Sequence, residues 1–361
     1  MHRAYKINIR DLNTFCVDCV ADALFVVEKE EDLSELTQVY DFKNKPIYVL
    51  GEGSNTLFND EFNGVIVKNE LKGVKVLNES DEHVELEIAS GESWRDFVVT
   101  VSQKGFSGVE NLAFIPGTLG AAAVQNIGAY GQVAEDVIVS VTTIDLETGQ
   151  STTYSNEECL FSYRYSIFKE KTKQKEFILS LTVRLNKYDS FDLNYHSRYQ
   201  NESLKVWLEK NAKEPYRPID IVNAVTDLRR YKLPWLDEYG TCGSFFTNPF
   251  VSVDKYNELL EQMSDLQCYP VTKMDYSKKN LDDLDLAKIV KIPAGRLLDE
   301  LGWKGKWIGN VGTFKSHALC VVTNKKASSS EILDFVGQMK LDVKQNFDID
   351  LKEEVVIVDW I

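Results

Sequence analysis

The feature that most constrains this chain is a glycine-rich stretch over residues 105–131, which reads GFSGVENLAFIPGTLGAAAVQNIGAYG. Its glycines stand at 105, 108, 117, 120, 128 and 131, and the side chains around the later ones are mostly small or carry amides. Glycine lets the backbone bend and approach a ligand closely, and amide side chains both donate and accept hydrogen bonds. The stretch predicts a cradle for a flat heteroaromatic ligand, with a glycine-rich loop packed on a core as the alternative.

A second glycine turn, Gly51-Glu52-Gly53-Ser54-Asn55, follows the apolar run IYVL at 47–50, for which we predict a strand. Backbone amides in such a turn can receive an anion. The turn is not a P-loop, because no Gly-Lys-Ser/Thr follows, and it lacks the third glycine and the helix of a dinucleotide-binding fingerprint. A phosphate cradle and a plain tight turn are equally consistent with it.

The rest of the chain mixes strand and helix periodicities, which predicts an α+β protein. Strands are expected at 65–68, 74–77, 83–89, 137–145, 177–185, 242–246, 318–323 and 355–358. Helices are expected at 92–104, 218–230, 253–263 and 294–301. Ser328 and Glu331 form a capping-box pattern for a last helix that runs to about residue 347.

Composition excludes several classes of protein. The chain has 41 basic and 56 acidic residues and a net charge of −15, which argues against a general nucleic-acid binder. It shows no apolar run long enough to cross a bilayer and no secretory signal, so we expect a cytoplasmic protein without a membrane partner. Cys16 and Cys19 lack two further ligands at zinc-site spacing, so we expect free thiols and no metal.

Six short motifs then occur in a specific order: GEGSN at 51–55, IPGTLGAAAVQNIGAYG at 115–131, YRYSIFK at 163–169, KLP at 232–234, GSFFTNP at 243–249 and LKEEV at 351–355. Together they resemble the UDP-N-acetylenolpyruvoylglucosamine reductase family, in its type I branch. The resemblance implies a vanillyl-alcohol-oxidase-type (PCMH-type) FAD-binding fold in two subdomains, with a third α/β substrate-binding domain. The implied limits are 1–72 with 326–361 for the first subdomain, 73–233 for the second and 234–325 for the substrate domain.

The resemblance also implies the reaction. Members of this family use FAD and NADPH to reduce UDP-N-acetylglucosamine enolpyruvate to UDP-N-acetylmuramate, a precursor of peptidoglycan needed for cell wall biogenesis, cell shape and division. Hydride reaches C3 of the enolpyruvyl group through the flavin, and an acid protonates C2. The motifs imply that Arg164 stabilises the developing enolate, that Ser244 donates the proton and that Glu354 assists. The implied partner is this UDP-sugar alone, bound by a monomer.

The binding residues are carried over in the same way. The residues implied to bind FAD are Gly51, Gly53, Ser54, Asn55, Pro116, Gly117, Thr118, Gly120, Ala121, Gln125, Asn126 and Gly128. The residues implied to bind the substrate are Tyr195, Lys232, Asn248 and Tyr269. Two positions depart from the family pattern: Cys16 stands where glycine is usual, and Arg296 where tryptophan is usual.

Two other functions are consistent with parts of this pattern. One is a flavin-dependent oxidase or dehydrogenase of small alcohols on the same fold, against which the Ser244/Glu354 pair and the basic residues around Lys232 argue. The other is a sugar-nucleotide-binding protein that has lost its flavin, against which the two glycine segments argue.

Overall fold

The computed structural model describes residues 2–39, 45–187, 191, 193, 203–272, 275–276 and 285–358. The chain divides into two compact units. The first unit comprises Met1–Ile7, Ala21–Glu52 and Asn63–Tyr231, and the second comprises Asn8–Val20, Gly53–Phe62 and Lys232–Ile361. The three domain limits implied by the sequence stay a prediction.

The strands of the described residues are β1 (His2–Asn8), β2 (Val20–Val27), β3 (Ile47–Leu50), β4 (Thr56–Phe58), β5 (Glu61–Asn69), β6 (Val74–Glu79), β7 (His83–Ala89), β8 (Gly128–Ala129), β9 (Gln132–Val133), β10 (Ile138–Asp145), β11 (Ser151–Ser155), β12 (Glu176–Asn186), β13 (Gly240–Ser244), β14 (Phe250–Ser252), β15 (Tyr269–Pro270), β16 (Ile289–Lys291), β17 (Trp307–Ile308), β18 (Val311–Phe314), β19 (His317–Thr323) and β20 (Val356–Val358). The helices are α1 (Glu30–Val39), α2 (Trp94–Gln103), α3 (Leu119–Gln125), α4 (Leu204–Asn211), α5 (Pro218–Lys232), α6 (Val253–Gln262), α7 (Ala294–Glu300) and α8 (Ser329–Phe347).

The first unit contains a four-stranded sheet in the order β1-β2-β5-β3 and a five-stranded antiparallel sheet in the order β11-β10-β12-β7-β6. β7 alternates as its sequence predicts, with Val84, Leu86 and Ile88 buried on one face. This face belongs to a core that also takes in apolar side chains of α2, α3 and α5. The glycine-rich stretch thus has its short helix α3 anchored in the core, while its irregular backbone lies beside it.

The second unit contains a sheet in the order β13-β19-β18-β17, a three-stranded sheet in the order β14-β16-β15 and the parallel pair β4-β20. Its main core combines side chains of α6, α7 and α8 with one face of the first of these sheets. None of the helices within the described residues combines the length and apolarity needed to traverse a lipid bilayer.

The last helix forms as its capping box predicts. The Ser328 hydroxyl accepts a hydrogen bond from the Glu331 amide at 3.2 Å, and the Glu331 carboxylate accepts one from the Ser328 amide at 2.8 Å. These reciprocal bonds satisfy amides at the helix start that have no partner within the helix. The predicted apolar face is buried: Ile332, Phe335, Val336, Met339 and Val343.

Several predicted boundaries need correction. The strand expected at 242–246 is β13, two residues earlier, because Gly243 has φ +74° and the register with β19 shifts between Thr241 and Ser244. Such a bulge interrupts pairing and turns the following side chain to a new direction. α5 continues to Lys232, two residues beyond the prediction, and β20 begins at Val356 rather than at residue 355.

Candidate functional site

The turn over Gly53–Asn55, in the second unit, requires glycine at its first position. Gly53 has φ +66°, and a Cβ there would lie 2.1 Å from the Leu12 carbonyl oxygen and 2.9 Å from Asn13 Cα. The Gly53 carbonyl in turn accepts a hydrogen bond from the Thr14 amide at 3.1 Å. Because a Cβ at position 53 would clash with backbone atoms, no change of side-chain rotamer could relieve the clash.

The amides of this turn are available to a ligand. Within the described residues, no group accepts a hydrogen bond from the backbone N–H of Gly53, Ser54 or Asn55. Gly53 is buried and the other two residues are half-buried. Buried amides are almost always paired, and a run of them in a turn forms a concavity for an anion. The turn therefore fits the pyrophosphate of a dinucleotide such as FAD.

The second predicted glycine segment lies with Gly51 and Glu52 in the first unit. Gly117 has φ +119°, and its amide donates to the Glu52 carboxylate at 2.8 Å. A Cβ on Gly51 would lie 2.8 Å from Thr118 Oγ1 and 3.6 Å from Ala121 Cβ. The structure thus brings Gly51, Gly117, Thr118 and Ala121 together, as the sequence expects of residues that share a ligand.

α3 is fixed at both ends. The Thr118 hydroxyl caps its start by accepting from the Ala121 amide at 3.3 Å, and a Cβ on Gly120 would lie 3.0 Å from that of Ser90. Asn126 ends it with φ +43°. Gln125 and Asn126, which the sequence predicts to reach a ligand, are both buried. Pro116 is half-buried.

The carboxamide of Asn126 has partners inside the protein. Its Nδ2 donates to the Glu135 carboxylate at 2.7 Å and to the Ser162 carbonyl at 3.0 Å, and its Oδ1 accepts from the Glu135 amide at 3.1 Å. These bonds tie the end of α3 to the segment that leads to Arg164. Direct contact of Asn126 with FAD stays a prediction.

Arg164 is held in a strained backbone conformation. Its φ is +56°, in the left-handed region that non-glycine residues rarely adopt, and its carbonyl accepts from Lys169 Nζ at 2.9 Å. The guanidinium Nη2 donates to the Gly128 carbonyl at 3.0 Å, and the group lies over the Tyr163 ring at 5.3 Å. Backbone strain of this kind clusters at functional sites. The Arg164 guanidinium group thus lies next to Gly128, a residue predicted to bind the flavin.

Ser244 and Glu354 lie on adjacent segments of the second unit. Half-buried Ser244 ends β13 opposite Cys320 of β19. The Glu354 amide donates to the Phe245 carbonyl at 2.8 Å, and the Glu354 carbonyl accepts from Asn55 Nδ2 at 3.2 Å. The structure therefore places the predicted proton donor, the predicted carboxylate and the Gly53–Asn55 turn in one neighbourhood.

The neighbouring Glu353 has a different environment. Its carboxylate forms an ion pair with Lys340 of α8 at 2.6 Å. Glu354 is half-buried and precedes buried Val355. The role of Glu354 in the reaction stays a prediction.

Three of the four predicted substrate residues lie in the second unit. Lys232 is half-buried at the end of α5. The Asn248 side-chain oxygen accepts from the Ala294 amide at 3.1 Å and so supports the start of α7. Burial raises the pKa of the Tyr269 hydroxyl on β15. Tyr195 lies outside the described residues.

The two departures from the family pattern have structural explanations. Cys16 has φ +57°, a conformation that suits glycine, so the departure carries backbone strain. Arg296 of α7 forms ion pairs with Asp265 at 2.8 Å and Glu300 at 2.7 Å, and the hydrogen bonds with these carboxylates raise its pKa. Cys16 and Cys19 are both free thiols, and burial raises the pKa of Cys19 to about 12.

Sequence reasoning missed two supporting residues. Glu52 accepts from the Gly117 amide at 2.8 Å, and Thr14 binds both the Gly53 carbonyl and, at 2.6 Å, the Thr241 carbonyl. The sequence feature that could have identified Glu52 is its position as a carboxylate between two glycines. Across the described residues, no group of three or more His, Cys, Asp or Glu side chains is arranged to hold a metal ion.

The close contact at Gly53 gives a testable prediction. Gly53→Ala should weaken FAD binding by tenfold or more, because its Cβ would meet the Leu12 carbonyl at 2.1 Å. Gly149→Ala is the matched control, since Gly149 has φ +70° but nothing within 4 Å of a Cβ. Fluorescence titration of the apoprotein with FAD measures both. Equal FAD affinity in the two variants would contradict the expected effect.

Comparison with known proteins gives the family. Residues 21–155 match the family described as FAD binding domain, and residues 235–358 match the C-terminal domain of UDP-N-acetylenolpyruvoylglucosamine reductase. The reductase of that name from Flavobacterium johnsoniae is 32% identical over 97% of this chain and 98% of its own length. The one from Aliivibrio fischeri is 36% identical over 96% of this chain and 92% of its own length.

A solved structure supports the fold. The crystal structure of UDP-N-acetylenolpyruvylglucosamine reductase from Thermus caldophilus superposes with a TM-score of 0.63 at 20% identity, covering 99% of this chain and 98% of that one. The predicted α+β class with an FAD-binding fold is confirmed. The protein is an FAD-dependent oxidoreductase. The chain belongs to the UDP-N-acetylenolpyruvoylglucosamine reductase family.

Proposed function

We propose that this protein reduces UDP-N-acetylglucosamine enolpyruvate to UDP-N-acetylmuramate with NADPH as the hydride donor. Relatives that cover nearly the whole chain carry the name of this reductase. The observation that carries the proposal is the placement of Ser244 and Glu354 beside the Gly53–Asn55 turn, where backbone amides can receive an anion. The reaction would supply peptidoglycan synthesis, with the enzyme acting as a cytoplasmic monomer.

The residues present fit FAD. The pyrophosphate would be held by the amides of Gly53, Ser54 and Asn55, and the ring system by the segment from Pro116 to Gly128 together with Gly51. Bound by these residues, FAD would supply the hydride-transfer chemistry between NADPH and C3 of the enolpyruvyl group. The protein must bind both reactants, keep water away and deliver a proton to C2.

Ser244 is proposed to deliver that proton. The bulge at Gly243 directs the side chain that follows it, and Phe245 and Phe246 beside it are 0% and 1% exposed. A hydroxyl is a weak acid, so proton transfer to the developing carbanion requires a neighbouring charge and a dry setting. Glu354, whose amide donates to the Phe245 carbonyl, is proposed to organise this transfer.

Arg164 is proposed to stabilise the enolate that develops beside the substrate carboxylate. A guanidinium remains charged and can hold two oxygens with parallel N–H groups. Its bond to the Gly128 carbonyl and the left-handed backbone fix the direction of the fork before substrate binds. Preorganised donors of this kind stabilise charge that develops in the transition state.

The UDP moiety is proposed to be held by the remaining predicted residues. Lys232 would bind the diphosphate, Asn248 and Tyr269 the nucleotide side, and Tyr195 would close over the substrate. The three-domain division, with 234–325 as substrate domain, is proposed on the same basis.

Rapid mixing of the holoenzyme in two steps tests this function. NADPH should bleach the flavin absorbance faster than NADH, and UDP-N-acetylglucosamine enolpyruvate should then restore it anaerobically with formation of UDP-N-acetylmuramate. Reduced flavin that is reoxidised by oxygen but not by this ether would refute the proposal and favour an oxidase.

A further inference from the structure

The sheet that ends in Ser244 carries an aromatic cluster on one face. Its buried members are Phe314, Cys320 and Val322, and its partly buried members are Leu233 and Tyr239. Ser244 lies directly opposite Cys320, and cross-strand partners point to the same face of a sheet. Ser244 therefore shares this face with the aromatic cluster.

Trp307, on the outer strand β17, extends this face. A Cβ on its cross-strand partner Gly312 would lie 2.4 Å from Trp307 Cδ2, so the indole rests directly on the glycine backbone. The Tyr239 ring lies 6.3 Å from that of Trp307, with the planes inclined by 39°. Trp307 nevertheless remains 42% exposed, whereas Trp303 nearby is 1% exposed. Gly312 and Tyr239 thus hold the Trp307 indole in place, and part of its surface stays open to a ligand.

The distance between Ser244 and Trp307 suits a sugar nucleotide. Strands β13 and β17 are three positions apart in the sheet, which corresponds to about 14 Å. Ser244 pairs with Cys320, whereas Trp307 pairs with Gly312 and Gly312 pairs with Val322. Cys320 and Val322 are two residues apart on β19, so the two sets of partners are offset by about 7 Å along the strands. The diagonal is about 16 Å, so Trp307 lies on the same face as Ser244 but far enough from it to meet the other end of an extended substrate.

The sequence that forms this sheet is locally basic. Residues 301–330 contain five lysines and no aspartate or glutamate, although the whole chain has a net charge of −15. Lys232 adjoins Leu233, which packs in the aromatic cluster. Cations are therefore concentrated in the sequence that forms this sheet, as an anionic diphosphate requires.

We infer that the exposed indole face of Trp307 stacks on the uracil base of the substrate and so selects the nucleotide end of the UDP-sugar. The inference rests on the proposed function and adds a residue to its binding site. Tyr239 and Gly312 are the residues that position the indole. Aromatic stacking suits a base because every base presents a flat π-face.

The test uses the holoenzyme and two substrates, the UDP-sugar enolpyruvyl ether and the corresponding sugar 1-phosphate that lacks uridine. Trp307→Ala should raise the KM for the first, and the Kd for UDP measured by calorimetry, by tenfold or more while kcat changes by less than about twofold. It should leave kcat/KM for the uridine-free substrate unchanged. Trp307→Phe should restore most of the UDP affinity, because it retains an aromatic face.

A glycine pair provides a second line of evidence. Gly312→Ala should weaken UDP binding as Trp307→Ala does, because the added Cβ displaces the indole. Gly337→Ala, in exposed helix where a Cβ meets nothing within 4 Å, should leave it unchanged. Unchanged UDP affinity in Trp307→Ala, or an equal loss on the uridine-free substrate, would overturn the inference. A wild-type enzyme that binds UDP but does not turn over the ether would refute the proposed function instead, and the UDP affinities would still decide the role of Trp307.

Discussion

Ser244→Ala should slow reoxidation of the reduced flavin by the enolpyruvyl substrate about 10³-fold, while reduction by NADPH keeps its rate within about twofold. The first half-reaction moves a hydride and needs no proton at C2, whereas the second cannot finish without one. Single-turnover absorbance in each direction separates the two rates. Ser244→Cys should lose less than Ser244→Ala, because a thiol is a stronger acid than a hydroxyl.

Ser316→Ala is the matched control for this experiment. Ser316 lies in the turn between β18 and β19 of the same sheet and is half-buried like Ser244. The Ser316→Ala variant should leave the rates of both half-reactions unchanged. If Ser244→Ala slowed both half-reactions equally, the hydroxyl would support the site rather than donate the proton.

Arg164→Ala should lower kcat/KM by about 10²–10³, the usual effect of removing one preorganised donor from developing negative charge. Arg164→Lys should recover only part of this loss, since an ammonium keeps the charge but not the fork. Steady-state kinetics with the enolpyruvyl ether measures both variants. Turnover near that of the wild type in Arg164→Ala would remove the arginine from the mechanism.

A glycine at the same position separates activity from stability. Arg164 has φ +56°, so Arg164→Gly removes the guanidinium and at the same time relieves the backbone strain. We expect its melting temperature to equal or exceed that of Arg164→Ala while its kcat/KM falls to the same level. A lower melting temperature in the glycine variant would show that the left-handed backbone carries no cost.

Local patterns were sufficient for part of the regular elements, whereas β1, β2 and α1 were not predicted. The alternation over 83–89 gives β7 with its observed limits, and the Ser328/Glu331 pair gives the start of α8. The bulge at Gly243 was not predictable, because Cys-Gly-Ser-Phe-Phe reads as a continuous strand and the positive φ depends on pairing with distant β19. Residues close together in sequence determine the periodicity of a strand, but not its register with a strand that is distant in sequence.

The candidate site shows the same limit. Glycine spacing was enough to single out both loops, and the resemblance supplied roles for Arg164, Ser244 and Glu354. The sequence could not show that Lys340 engages Glu353, or that the Asn126 carboxamide turns toward Glu135 and Ser162. These contacts join residues that only the folded chain brings together, so spacing along the chain carries no signal for them.

The parallel pairing of β4 with β20 sets the order in which this protein can mature. Val356 pairs with Thr56, a partner made some 300 residues earlier during translation. At ribosomal rates of about 5–20 residues per second, the segment around Asn55 waits about 15–60 s for its partner strand to be synthesised. The Glu354 amide also reaches the Phe245 carbonyl only then. The proposed proton-transfer residues would thus be brought together last, and we expect an unfinished nascent chain to lack reductase activity.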